Sequence, residues 1–231
     1  MALVTRSARG HTLARRFNPF HKLSIDAIIP TALGQSAAPP VPTERRGAIT
    51  TLAADASVAL QELQGILGRR SDDDARVRFP RGYLIEIGRW RLALGFVRRT
   101  AVMNNVAYTL MMYDVQTWLL RRTDLAATAR DMMVKAAIAA LGSIAEAIIV
   151  DATSPPMGRR QRMSSRVAAL AAANRIDTGV DVELKWLWDT RNRLHLFELT
   201  SSEFSFYEAD HLPRAEAAVV ALFQGFQRGA R

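Results

Sequence analysis

"RTDLAATARDMMVKAAIAALGSIAEAII" runs from Arg122 to Ile149, and its reading decides the fold. Alanine, isoleucine and methionine recur through it without a proline, which predicts one long helix from just after "RRTD" to about Val150. Thr123 or Asp124 can cap its start, and Asp124 and Asp131 suit the positive end of the helix dipole. "TSPPMG" at 153–158 closes it, because consecutive prolines cannot continue the backbone ladder. Residues 132–150 come nearest to a membrane span, but Lys135 and Glu146 interrupt them. The expectation is a buried core helix, and no membrane partner.

Glu146 is the informative residue of that helix. It sits in "SIAEAII" among apolar neighbours, where a lone carboxylate is costly unless paired. Arg191, reaching across from another helix, is the expected partner, with His195 as the fallback; a pair on the helix surface or another arginine is the alternative. Holding Arg191 would make Glu146 a positioning residue.

Helical spacing continues on both sides. "TERRGAITTLAADASVALQELQGILGRR" places Ile49, Leu52, Ala56, Leu60, Leu63 and Leu67 at steps of three and four. "FPRGYLIEIGRWRLALGFVRR" alternates like a strand from Ile85, yet no second run exists to pair with it, so a helix of about four turns after Pro80 is expected. Further helices are expected at about 102–121, 160–174, from Gly179 through the stretch holding Val182, Trp186, Asp189, Arg193 and Leu196, and at about 213–227. The fold class is therefore an all-α bundle over 44–228. It lies behind a disordered basic arm and a Pro/Ala linker, "SAAPPVPT", within 1–43.

Composition narrows the chemistry. The chain has 231 residues, 49% of them hydrophobic, enough for a sizeable core. It has no cysteine and four histidines, which excludes thiolate metal sites and makes a multi-histidine cluster improbable. No cofactor and no metal is expected, and a reducing, cytoplasmic compartment is the default. The net charge is +9. Residues 1–46 carry seven cations against two carboxylates, and the body carries 24 against 20. A basic balance suits polyanions such as RNA, and equally suits simple solubility.

The one stretch that speaks of chemistry is "TRNRLHLFEL", 190–199. Arg191 and His195 are four apart, so on a helix they share a face, with Asn192 beside them. A guanidinium can hold phosphate oxygens in its fork while an imidazole moves a proton near neutral pH. Such a pair can serve attack by an RNA 2′-hydroxyl without a metal. The plainer reading is that both cations cap the carbonyls at a helix C-terminus.

"TRNRLHL" resembles the signature of HEPN domains, all-helical bundles whose motif is an arginine, a polar residue, a short gap and a histidine. The stretch 122–149, with a carboxylate, Glu146, in its last turn, is similar to their long core helix. The resemblance covers about 102–228, and the gap between Arg191 and His195 is shorter than the family's usual one. It implies an RNA-binding homodimer and a metal-independent endoribonuclease of a toxin or defence system, with a cognate antitoxin as a further partner. His195 would be the acid/base, Arg191 the phosphate holder and Asn192 the orienting group. A non-catalytic dimerisation module is the alternative.

Arg159, Arg160, Arg162 and Arg166 in "GRRQRMSSR" form a candidate nucleic-acid patch, or a solvated helix start. Trp186 and Trp188 are two apart and cannot both face one core, so one is expected at a partner surface. Trp90, Trp118 and the pairs Met111/Met112 and Met132/Met133 read as core.

Overall fold

The computed structural model describes residues 41–80, 82–154, 157–158, 160–193 and 210–229. Among these the chain is all helical, with no strand. A 3-10 turn, Thr43–Arg45, leads into α1, Arg46–Leu67. There follow α2, Ile87–Ala93; α3, Thr100–Arg122; α4, Ala127–Thr153; α5, Met163–Ala172; α6, Val180–Asn192; and α7, His211–Arg228. Of the arm and linker expected over 1–43, residues 1–40 lie outside the described residues.

The stretch that decided the fold is the centre of the bundle. α4 packs against α3, α5, α6 and α7. Its Ile138, Leu141, Ile144 and Ile148 meet Leu110 of α3, Leu187 of α6 and Phe223 of α7 in one core. α4 is long and apolar enough to cross a membrane by length and composition, and half of that window is buried inside the bundle.

Cations close the C-terminal end of α4. The Arg98 side chain donates to the carbonyls of Asp151 and Ser154. The buried Asp151 carboxylate accepts from the Arg98 backbone N–H at 2.8 Å and from Arg99 Nε at 2.7 Å. Orphan carbonyls and a helix's negative end are thereby satisfied together. At the opposite end Thr123 and Asp124 do not cap α4, whose N-cap position is Ala126 without a side-chain bond. Thr123 instead closes α3, its Oγ1 donating to the Leu119 carbonyl at 2.6 Å.

Other expectations shift in detail. The helix expected from Pro80 is confined to Ile87–Ala93, and Gly82 sits at φ +87 before it. The Ile85 N–H is taken by Asp114 Oδ2 at 3.0 Å, which holds that segment open against α3. Trp90 is fully buried, while Trp118 is half-buried against Phe79. Met133 packs partly buried against the core, Met111 and Met132 are partly buried, and Met112 is exposed, so the methionine pairs contribute to the core only in part. On α6 the buried stripe is Val180, Leu184, Leu187 and Thr190, and Val182 of the expected stripe is exposed.

α1 stands apart. Its periodicity is as expected, yet none of its residues is buried. Ile49, Leu52, Leu60 and Ile66 are all exposed along it. Among the described residues its main packing is on the turn that precedes it, and only Leu63 and Leu67 near its end are partly covered.

Candidate phosphate-recognition site

α6 crosses α4 at Gly142. A Cβ built there would lie 2.8 Å from Arg191 Cβ and 2.9 Å from Arg191 Cγ. The absent side chain makes a notch, and the stem of Arg191 fills it. Arg191 is the last-turn residue of α6 beside the buried stripe, so packing of Leu184 and Leu187 delivers it to this notch.

One turn along α4 from the notch stands Glu146, the i+4 neighbour of Gly142. Its Oε2 lies 3.4 Å from Arg191 Nη2. The pairing expected from the sequence is therefore present, but the expected burial is not: each side chain is 34% exposed. Arg191 Nη1 donates to Asn192 Oδ1 at 3.1 Å. The Trp188 ring lies under the guanidinium, 5.4 Å from its carbon. Carboxylate, amide and indole thus fix the fork from three sides. The exposed third of the side chain is left for a ligand from solvent. His195, the other half of the motif, lies outside the described residues.

The basic stretch divides. Arg160 and Arg162 are exposed, and Arg159 lies outside the described residues. Arg166 is 1% exposed and turned inward. Its guanidinium donates to Thr153 Oγ1 at 2.5 Å, to the Gly158 carbonyl at 2.6 Å and to Ser154 Oγ at 3.4 Å. These bonds tie α5 to the end of α4 and leave Arg166 no face for a nucleic acid. Three residues on from Met163, Arg166 falls on the buried side of α5 with Val167 and Leu170, which proximity to other arginines in sequence conceals.

Both tryptophans of α6 are half-buried against the core, and each carries a cation. Arg214 sits 4.0 Å over Trp186 while bonding Glu183 at 2.6 and 3.3 Å. Arg191 covers Trp188. Among the described residues no group of three histidine, aspartate or glutamate side chains is placed to hold a metal ion.

Gly142 and Trp188 were not singled out from sequence as parts of this site. A signal existed for Gly142: glycine inside a helix costs about 1 kcal/mol relative to alanine, so one glycine in an Ala-rich helix points to a close approach. In comparisons with known proteins, no family model, no curated protein and no solved structure matches the chain.

Proposed function

We propose that this chain is an RNA-binding helical bundle whose Arg191, Asn192 and His195 act on phosphodiesters, as a metal-independent endoribonuclease of the HEPN type. The observation that carries the reading is the fork of Arg191, held by Glu146, Asn192 and Trp188 with a third of it open. An arginine meant only to cap its helix needs no carboxylate from a second helix, whereas one meant to meet a phosphate benefits from fixed orientation.

In the proposed step His195 takes the proton of an RNA 2′-hydroxyl. The oxygen attacks the adjacent phosphorus, and the bond from phosphorus to the 5′-oxygen breaks. That oxygen leaves with a proton from a second His195, supplied by a second copy whose motif face opposes the first. The products are a 2′,3′-cyclic phosphate and a 5′-hydroxyl. Arg191 stabilises the charge that develops on the non-bridging oxygens. A toxin or defence role with a cognate antitoxin is the setting such an activity suits.

The test is a fluorescence-anisotropy titration of single-stranded RNA at several salt concentrations. Arg191→Ala should weaken binding about tenfold and lower the salt slope by about one. Unchanged affinity and slope would overturn the reading.

The exposed stripe of α1 favours a second reading, a non-catalytic module that pairs through helices. Light scattering separates it: Leu52→Asp with Leu60→Asp should then convert a dimer to a monomer, and an unchanged mass would remove it.

A further inference from the structure

A cavity of about 360 Å³ opens between the start of α5 and the outer face of α6. Its floor is apolar, made by the buried Met163 and Val167. One wall is Trp188, and the rim carries Arg162, Lys185 and Asp189. Lys185, Trp188, Asp189 and Asn192 follow at i, i+3, i+4 and i+7 along α6, so they share one face. Trp188 therefore belongs to two neighbouring features: it walls this cavity and supports the Arg191 fork.

We propose that this cavity receives a base of an RNA strand whose neighbouring phosphate lies on Arg191, and that it favours bases carrying an amino group. The proposal rests on the phosphate reading above and deepens it. The volume falls in the range of small-molecule sites, apolar below with a few convergent polar groups. An indole wall suits any base, since every base has a π-face to stack. Among the described residues neither Arg162 nor Lys185 makes an ion pair, so both cations are free for flanking phosphates. Other cations nearby are already spent, Arg166 on the end of α4 and Arg214 on Glu183.

Asp189 supplies the selectivity. A carboxylate only accepts hydrogen bonds, so it rewards the amino groups of adenine, cytosine and guanine. Uracil sets a carbonyl oxygen on each side of its single ring N–H, and these the carboxylate repels.

The experiment uses the full chain and fluorescein-labelled tetranucleotides, oligo-A and oligo-U, methylated at every 2′-oxygen so that binding is read without cleavage. Wild type should bind oligo-A about tenfold more tightly than oligo-U. Asp189→Asn should bring the two affinities together, because an amide offers both donor and acceptor. Lys185→Ala should weaken both about tenfold. Both positions are exposed, and unchanged circular dichroism would verify the fold. Equal affinities in wild type, or no effect of either variant while Arg191→Ala weakens binding, would overturn the base pocket and leave the phosphate reading standing. An intact preference in Asp189-dependent form with no effect of Arg191→Ala would support the pocket and remove the phosphate reading. Failure of wild type to bind either oligonucleotide would overturn both.

Discussion

Gly142→Ala tests the close crossing that seats Arg191. The added Cβ would sit 2.8 Å from Arg191 Cβ and 2.9 Å from Cγ. Carbon contacts relax at about 3.5–4.0 Å, so roughly 0.7 Å or more of separation is required. Arg191 Cβ is fixed to its backbone and cannot swing aside; α4 and α6 must part along their shared core. Overpacking of this kind costs about 1–3 kcal/mol. Alanine returns about 1 kcal/mol of helix propensity. The net expectation is a loss of up to about 2 kcal/mol, or up to roughly 8 °C in Tm for a chain of this size. Far-UV circular dichroism during heating reads it directly in an all-helical chain. Gly88→Ala on α2 is the reference, because nothing lies within 4 Å of its added Cβ. Parting the helices should also draw Arg191 from Glu146, so Glu146→Gln should add little further loss in the Gly142→Ala background. A Gly142→Ala protein as stable as wild type, with the Glu146→Gln effect intact, would refute the crossing as described.

Other perturbations follow from the same contacts. A double-mutant cycle on Glu146 and Arg191 by urea unfolding should give a coupling of about 0.5–1 kcal/mol, because solvent screens a pair this exposed; more than about 2 kcal/mol would mean a buried pair. Asp151→Ala strips the buried carboxylate that Arg98 N–H and Arg99 share and should cost about 3 kcal/mol in the same assay; a loss under about 1 kcal/mol would contradict its role in closing α4. Arg214→Lys loses both the two-point bond to Glu183 and the stacking on Trp186, and should lower stability by about 1 kcal/mol; an unchanged urea midpoint would count against that junction. At Gly225 an added Cβ would overlap the Arg175 carbonyl oxygen, so Gly225→Ala should lower Tm at least as far as Gly142→Ala does.

Much of the helical architecture was legible because apolar spacing reports it directly. The 122–149 stretch reads as α4, and the isolated carboxylate at Glu146 calls for a partner, with Arg191 of α6 one of the candidates and the one the structure pairs with it. Boundaries were less legible. Thr123 has the chemistry of a cap for either neighbouring helix, and only geometry assigns it to the Leu119 carbonyl. Direction was least legible. Arg160, Arg162 and Arg166 look alike in sequence, yet the turn of α5 sends Arg166 into the core. In the same way α1 has a regular stripe but nothing described that covers it, since periodicity shows which residues share a face and not what that face meets.

In the proposed activity Arg191 and His195 cleave RNA through its own 2′-hydroxyl. The most direct measurement is the fate of end-labelled RNA with the purified protein in excess chelator, beside Arg191→Ala and His195→Ala. Wild type should yield fragments ending in 2′,3′-cyclic phosphate, RNA with methylated 2′-oxygens should stay intact, and both variants should lose about a hundredfold or more in rate. RNA left whole by wild type, or cut equally well by either variant, would contradict the account.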